Sequence, residues 1–335
     1  MLCVPISFVQ AQVVGGQHTY QFLTLPTSAR TTALGGIGLP VIDNDLSLAL
    51  QNPSLYNAAM NKQLSVNNDL YFADINYGHI AFGKSIDSLT TIGLGLQYMA
   101  YGQFTATDET AQNLGTFNAG EYALYLGGAR HKGKFSYGVN TKLIFSQLET
   151  YKSLGIAFDA GVTYNDTSQQ LLLSLVVKNI GTQITQYADT QEELPFDVQL
   201  AVSKRLAHLP VRFGVTAHHL YQWDIRYDDP ALQVVAIFDD GNTDKEERYV
   251  VDKLFRHLNF STEIYLGKAL QVRLGYSHLR RQEMMLTARR TLAGFSFGAG
   301  IHIKRFQVSY GRAIYHAAGG NNHISLGINL AKPSL

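Results

Sequence analysis

Three stretches of the sequence contain residue types that could do chemistry, and the first is a nucleophile motif. Gly294-Phe295-Ser296-Phe297-Gly298 matches the G-x-S-x-G pattern, in which a strained turn from a strand into a helix exposes the serine. Here the motif lies within alternating residues that predict a strand, and no helical pattern follows it. Both glycines also share the serine's face of that strand. We therefore expect a structural serine and a chain that is not an enzyme.

The other two stretches contain residue types that bind metal ions. FDDGNTDKEE, residues 238–247, resembles a calcium loop, but its acidic residues miss the EF-hand spacing and no flanking helix is evident. We interpret it as a solvated acidic loop tip. His218 and His219 are adjacent, so on a strand their rings would face opposite sides and would not share a metal ion. The sequence predicts neither a metal site nor a cofactor.

Composition narrows the classes of function. The chain has 335 residues, 27 of them Lys or Arg and 26 Asp or Glu, for a formal net charge of +1. Such a balanced charge does not attract nucleic acid, and we expect no such partner. No apolar run reaches the roughly 18 residues of a membrane-spanning helix. Mean hydropathy is near zero, which fits a soluble protein and fits a membrane barrel equally well, because barrel strands are only half apolar.

The first residues have some features of an export signal. MLCVPISFVQAQ is apolar and ends in small residues that suit cleavage, but it lacks a positively charged leader. We interpret residues 1–11 as a truncated signal peptide cleaved near Ala11–Gln12. The alternative is an irregular N-terminal arm. Cys3 is the only cysteine, so the mature chain would contain no disulfide.

Beyond residue 60 apolar and polar residues alternate, which is typical of strands with one apolar and one polar face. This period predicts an all-β fold of about fourteen antiparallel strands in a transmembrane outer-membrane barrel over residues 62–332. Bacterial single-chain barrels of this kind have even strand numbers. The predicted strands cover 63–73, 76–86, 90–101, 119–131, 134–146, 153–164, 170–179, 196–205, 211–219, 256–266, 270–280, 291–303, 306–316 and 323–331.

The lengths of the connections favour the membrane barrel over a soluble β-protein. After the first hairpin, short turns alternate with long loops, which are predicted at 102–118, 180–195, 220–255 and 281–290. Outer-membrane barrels sort their connections in this way, with short turns in the periplasm and long loops outside the cell. A soluble sandwich has little reason to do so. We therefore predict long extracellular loops.

Charged residues on the predicted lumen faces are nearly balanced. A lining that selects ions would favour one sign of charge. We therefore predict a cross-braced interior built from these residues: Lys142, Lys178, Arg212, Arg273, Asp159, Asp197 and Glu263.

Residues 12–61 differ from the rest and are predicted to form a short, partly helical plug. Gly35 and Gly36 allow close backbone approach or positive φ. Asp43 and Asp45 could cap the apolar helical turns that follow, and Asn52-Pro53 would end them. A fourteen-stranded barrel encloses more space than its own side chains fill, so this segment is expected inside the lumen. The alternative is a small cap outside the barrel.

Two family resemblances rest on specific segments. SARTTALGGIGLPVIDNDLSLALQNPSLYN resembles the N-terminal hatch of FadL-like outer-membrane proteins, which are plugged fourteen-stranded barrels. Further segments look like the PorQ family of type IX secretion barrels and span nearly the whole chain in the expected order. These are GGQHTYQFLTLPTSARTTALGG, GTFNAGEYAL, YKSLGIAFDAG, KNIGTQITQY, LPFDVQLAVSKRL and LAGFSFGAGIHIKRFQVSY.

The second resemblance implies an outer-membrane component of a Bacteroidetes-type attachment complex. Such a barrel anchors a PorZ-like surface β-protein alongside a PorU-like sortase and a PorV-like sister barrel, in contact with membrane lipid and with lipopolysaccharide as a further candidate. The FadL resemblance implies the runner-up, a transporter of hydrophobic small molecules. Aromatic residues in exposed loops commonly anchor partners. The candidates here are Tyr187, Trp223, Tyr227 and Phe238.

Overall fold

The structure is a computed structural model, which describes residues 18–38, 40–71, 75–188, 190–225, 243–267, 269–284, 291–316 and 319–331. Within the helix that begins at Thr243, side chains are described from residue 250 onward. The interpretation of residues 1–11 as a signal peptide, including Cys3, lies outside the described residues.

The described residues form a closed antiparallel barrel of fourteen strands, in which each strand pairs with its neighbours in sequence and β1 pairs with β14. The all-β prediction and the strand number are both confirmed. The strands are β1 (Gln63–Leu70), β2 (Asn76–Ser85), β3 (Thr90–Thr107), β4 (Asn113–Lys132), β5 (Phe135–Leu148), β6 (Tyr151–Asp166), β7 (Leu171–Thr185), β8 (Asp197–Arg205), β9 (Val211–Ala217), β10 (Leu258–Leu266), β11 (Leu270–Ser277), β12 (Phe295–Ile303), β13 (Phe306–His316) and β14 (Gly319–Asn329).

Alternation along each strand places apolar side chains outside and polar ones inside. On β5, Leu143 and Phe145 are 47% and 41% exposed, whereas Asn140 and Ser146 are fully buried. The same pattern is repeated around the barrel, so an apolar belt faces outward where a bilayer would contact it. No helix among the described residues has the length and apolar character needed to cross a membrane.

The two ends of the barrel differ in the length of their connections. At one end, which we call the turn rim, the strands are joined by short turns at 86–89, 133–134, 167–170, 206–210, 267–269 and 304–305. At the other end, the loop rim, the longest connections are 186–196, 218–257 and 278–294. Three of the four long loops predicted from the sequence lie at the loop rim, which also contains short connections such as 108–112 and 149–150.

Two predicted loops contain regular structure. The segment 102–118 is mostly strand, because β3 and β4 continue past the barrel and pair with each other up to Thr107 and Asn113. Both of its faces are exposed and its apolar residues are few, so the sequence pattern did not predict strands there. The 220–255 loop contains α3 (Thr243–Arg256). This helix begins within the acidic stretch 238–247, so the described part of that stretch is helical and differs from the solvated loop tip that the sequence predicted.

The N-terminal segment consists of short helices joined by turns. They are α1 (Ala29–Ala33), α2 (Leu46–Gln51) and three 3-10 turns at Gln21–Thr24, Pro53–Leu55 and Ala58–Met60. α4 (His278–Met284) lies in the last long loop. We call residues 18–60 the plug, because their contacts lie with the lumen face of the barrel.

Candidate functional site

The plug runs through the barrel from one rim to the other. At the loop rim, Thr19 N–H donates to the carbonyl of Glu193, at 2.9 Å, in the connection between β7 and β8. At the turn rim, His131 hydrogen-bonds the carbonyl of Tyr56 at 2.8 Å. Met60, three residues before β1 begins, lies against Gly83 near the end of β2. The lumen is therefore occupied along its whole height.

A buried arginine fastens the middle of the plug to the barrel wall. Arg30 on α1 is 1% exposed, and Glu263 on β10 is fully buried. Arg30 Nε and Nη2 donate to the two carboxylate oxygens of Glu263 at 2.8 and 2.9 Å. The same two carboxylate oxygens of Glu263 also accept from Arg273 Nε at 3.1 Å and from the Tyr265 hydroxyl at 2.9 Å. A bidentate pair of this kind fixes orientation as well as position.

Two acidic residues of the plug complete the environment of Arg30. Its Nη1 lies 2.7 Å from Asp43 Oδ2 and 3.3 Å from Asp45 Oδ2. Asp43 also accepts from Asp45 N–H at 2.9 Å. Asp45 caps α2 by accepting from Ser47 N–H at 3.2 Å. The acidic cluster of the sequence thus serves both as a helix cap and as the counter-charge of Arg30.

Gly35 and Gly36 end α1 and let it approach the wall. Their φ angles are +97° and +99°, a region that favours glycine. Gly36 N–H donates to the Thr31 carbonyl at 2.9 Å and so closes the helix. Gly275 on β11 contacts the backbone of Gly35, and a Cβ added at Gly275 would overlap it. Close packing requires glycine on both sides.

Asn52 and Pro53 begin the next turn of the plug. The Asn52 side-chain oxygen accepts from Ser54 N–H at 3.1 Å and from Ser54 Oγ at 2.6 Å. Pro53 occupies the first position of the turn, where its missing N–H costs nothing. The Pro53 carbonyl lies against Gly138 on β5, where a Cβ would collide with it. All six motif residues therefore shape the plug or fit it to the wall.

Polar side chains of the wall bond to plug carbonyls that would otherwise be buried without partners. Asn140 Nδ2 donates to the carbonyls of Ala49 and Leu50, both at 3.2 Å. Three further donors do the same at 2.5 to 2.7 Å, and they are Gln97 to Phe22, Ser136 to Ser54 and Ser203 to Pro40. The wall thus binds the plug around most of its circumference.

The charged residues predicted on the lumen face do point inward and brace one another. Lys142 Nζ lies 2.7 Å from Asp159 Oδ1, and both side chains are buried. Lys178 and Asp197 are partners across β7 and β8. Arg212 donates to Ser203 Oγ at 3.2 Å. Among the predicted residues, the Lys142–Asp159 and Arg273–Glu263 ion pairs therefore brace the interior as the charge balance indicated.

A cavity of about 470 Å³ lies between the plug and the loop rim, and we call it the vestibule. The plug forms its base around Leu25 and Pro26, and the loops that follow β9 and β11 form its sides. Its lining mixes apolar, aromatic and charged side chains, including Phe196, Asp197, His218, Tyr221, Ile225, Arg280, Glu283 and Tyr315.

Burial shifts the pKa values of three ionisable groups of the vestibule in the direction that favours their neutral forms. It lowers the pKa of His218, and the neighbouring His219 lowers it further. The pKa of His219 is also lowered, mainly by burial, against the opposing effect of Asp197. Burial raises the pKa of Glu283, although Arg256 and Arg280 oppose the shift. The two histidines are therefore neutral at pH 7.

The adjacent histidines are not arranged as the sequence predicted. β9 ends at Ala217, and His219 has a φ of +54°, so neither ring is on a strand. The rings meet edge to face with Nδ1 atoms 2.6 Å apart, instead of facing opposite sides. The part of the chain that the structure describes contains no group of three or more His, Cys, Asp or Glu residues arranged to hold a metal ion.

Ser296 of the nucleophile motif lies in β12 and is 2% exposed. Its hydroxyl accepts from Arg280 Nη1 at 3.2 Å. The residues that follow continue as strand to Ile303. The serine therefore lies on a strand face instead of at a strand-to-helix turn.

The aromatic candidates for partner contact differ in their positions. Tyr187 is turned inward, because its hydroxyl donates to Ser146 Oγ at 2.5 Å and its ring packs 6.4 Å from that of Tyr20 in the plug. This differs from the expected exposed anchor. Trp223 is 59% exposed and stacks on His257 at the loop rim. Tyr227 and Phe238 lie outside the described residues.

Sequence reasoning missed Arg30, which makes more ion pairs than any other side chain named here. The available signal was a single charged residue among small ones in SARTTALGG. A lone charge in a segment expected to be buried needs a buried counter-charge. Its partner Glu263 is 233 residues away in sequence, so the pairing could not be predicted from local spacing.

Comparison with known proteins defines the fold. No protein-family model matches the sequence, and no curated protein sequence matches it. Among solved structures, the chain is similar to the Pseudomonas putida toluene transporter TodX, with a TM-score of 0.51 and 11% identity over 90% of this chain and 96% of that one. A Pseudomonas aeruginosa FadL homologue gives a TM-score of 0.51 and 12% identity over 91% and 99%. The chain thus has the fold of FadL-like outer-membrane barrels.

Proposed function

We propose that this protein is an outer-membrane anchor that holds a PorZ-like surface β-protein within a type IX secretion attachment complex. A PorU-like sortase and a PorV-like sister barrel would act alongside it, in the outer membrane of a Bacteroidetes-like bacterium. Support comes from the sequence segments that resemble the PorQ family, the fold of FadL-like barrels and the outward apolar belt. The role requires binding and no chemistry of this chain's own.

The observation that carries the proposal is the plug, which spans the lumen from rim to rim. Its backbone is bonded to the loop rim through Thr19 and to the turn rim through Tyr56, and the Arg30 side chain bonds it to the mid-wall. An anchor needs a rigid cylinder that displays loops, and a filled lumen provides it. A conduit would need this plug to move.

The loop rim offers surfaces for the partner. Trp223 is exposed beside α3, and Lys253 Nζ of that helix lies 2.5 Å from Asp224. α3 itself presents Val250, Val251 and Leu254 at 57%, 56% and 46% exposure. We assign the anchoring contact to the 220–255 loop, because an exposed tryptophan such as Trp223 is among the residues that supply most binding energy at protein interfaces.

The test is cell fractionation with a matched loop variant. Deleting the whole chain should release the PorZ-like protein from the cell surface into the medium. Shortening residues 225–250 should have the same effect while the barrel still assembles and stays heat-modifiable in detergent. Retention of the surface protein in cells that lack the barrel would refute the anchor role.

A second candidate function is passage of hydrophobic small molecules, and the vestibule favours it. A cavity of about 470 Å³ can hold a small solute, and one solved structure with this fold is described as a toluene transporter.

Ser54 Oγ of the plug lies 2.6 Å from Thr163 Oγ1 of β6. A disulfide in S54C/T163C would therefore lock the plug. Toluene uptake that stops on oxidation and returns with reductant would support transport, whereas uptake that is unaffected by deleting the protein would exclude it.

A further inference from the structure

Strands β3 and β4 continue as a two-stranded ribbon beyond the loop rim. β3 has 18 residues and β4 has 20, against 10 in the neighbouring β2. Pairing of β2 with β3 stops at Ala100, and pairing of β4 with β5 stops at Ala119. Residues 103–107 and 113–118 pair only with each other in the register that the structure describes. We call residues 102–118 the ribbon.

Both faces of the ribbon are exposed, and apolar side chains lie on them. Phe104 is 42% exposed and stacks on Phe117, with ring centroids 5.3 Å apart and planes 21° apart. Leu114 is 68% exposed. Gln103 donates to Thr116 at 2.9 Å across the pair. The ribbon is therefore held by its own cross-strand contacts and not by packing on the barrel.

The edges of the ribbon lack the charges and the proline that protect many exposed strands, although β4 carries one bulge. Natural edge strands discourage pairing through lysine, other charges or proline. The sequences GQFTAT (102–107) and NLGTFNA (113–119) contain no charged residue and no proline, and Asp108 and Glu109 at the tip are the ribbon's only charges. The register shift at Ala106/Thr107 leaves Leu114 as a bulge between Asn113 and Gly115, and from Gly115 to Asn118 the pairing with β3 is regular. An unprotected edge of this kind is a template for strand addition.

We propose that the edge of β4 at Asn113–Asn118 binds an extended, uncharged strand of the surface protein by backbone hydrogen bonds. This inference rests on the proposed anchor function and adds a second contact to the 220–255 loop. Below this edge, β5 ends at Leu148 and β6 begins at Tyr151. Their short connection is a shelf over which the added strand would lie. Leu114 and the Phe104–Phe117 stack would contact its side chains.

The first experiment separates this inference from the anchor function. In cells that lack the whole chain, release of the surface protein tests the anchor alone. In the second strain, residues 104–117 are replaced by Asn-Gly, a dipeptide that forms a tight hairpin turn, so that the barrel strands still join. The inference predicts release from both strains. Release only from the deletion strain would keep the anchor role and overturn the ribbon's part in it.

The second experiment keeps the ribbon at full length. L114D/T116D places charges on the β4 edge, and D108N/E109Q is the matched control that removes the charges at the tip. With the purified barrel in nanodiscs and the purified surface protein, L114D/T116D should raise Kd at least tenfold and the control should leave it unchanged. Hydrogen exchange at 113–118 should slow at least tenfold in the complex. Equal Kd for all variants, unprotected amides, or protection that comes from a second copy of the barrel would each overturn the proposal.

Discussion

Arg30 in the plug and Glu263 in the barrel wall form a two-point ion pair, at 2.8 and 2.9 Å, that is shielded from solvent on both sides. Taking two charges out of water is costly, so the pair itself adds little net stability. Removing only one partner is strongly destabilising, because the other charge is then buried without a counter-charge. We call this pair the latch. Loss of the latch should release the plug while the barrel stays assembled, since β10 remains paired with both β9 and β11.

Replacing Arg30 by Gln should loosen the plug. Glu263 would keep Arg273, but Asp45 and half of the Glu263 carboxylate would lose their counter-charge in a buried site. We expect a loss of about 3–5 kcal/mol in the free energy of unfolding, measured by denaturant titration in detergent micelles, together with faster proteolysis of residues 18–60. Lys134→Gln is the matched control, because it removes an exposed pair with Asp166 and should change neither quantity. Equal stability of R30Q and K134Q would contradict the latch.

The lumen face of β5 should not tolerate a side chain at Gly138. The Cβ of Ala would meet the Pro53 carbonyl, and backbone cannot give way as a side-chain end can. G138A should therefore lower stability by about 1–3 kcal/mol through overpacking. G95A is the control, because its Cβ would lie 3.2 Å from the flexible end of Leu50. Thermal unfolding followed by circular dichroism ranks the two variants. The reverse order would show that the plug is not seated against β5.

Stability should fall as the pH is lowered below about 6.5, partly through His218. Its pKa in the folded protein lies below the unfolded value, mainly because the ring is buried. The unfolded chain therefore takes up the proton first, and the stability due to the neutral ring is lost as pH falls through that window. The loss from this one group is up to about 2 kcal/mol between pH 6.5 and 5. His218→Asn should flatten that part of the stability–pH curve, and an unchanged slope would exclude His218 as its source.

The S54C/T163C variant should form a disulfide readily, because the hydroxyl oxygens it replaces lie 2.6 Å apart and the natural chain has its only cysteine at position 3. Mass spectrometry and gel mobility before and after reduction measure the crosslink. If the barrel is an anchor, the locked form should retain the surface protein as well as the reduced form does. Loss of retention on oxidation would mean that plug movement is part of the function.

The barrel was predictable from sequence because its signal is local. Phe135, Tyr137 and Val139 alternate with polar residues, and membrane burial of one face demands this period of two. The ribbon was missed because neither of its faces is buried, so the few apolar residues between Gly102 and Asn118 do not form a long apolar face. α3 was not predicted because residues 220–255 were assigned to a long loop from the spacing of the strands on either side.

The plug was predictable as a segment but not in its contacts. Gly35, Gly36 and Asn52-Pro53 indicate turns and helix ends from local rules. The partners that hold the segment are distant in sequence, as with Arg30 and Glu263, and only the closed barrel brings them together. Tyr187 shows the opposite kind of error. Its place in a predicted loop suggested an exposed side chain, but its hydroxyl donates to Ser146 inside the barrel.

Electrical conductance across a planar bilayer tests the central claim, a lumen filled from rim to rim, most directly. Wild-type barrel inserted from detergent should give no sustained conductance, because the plug is bonded at both rims and at Arg30. The R30Q variant should give intermittent opening. A stable, ohmic current through the wild-type protein would contradict the account, because it would require a continuous water-filled path where the structure places residues 18–60.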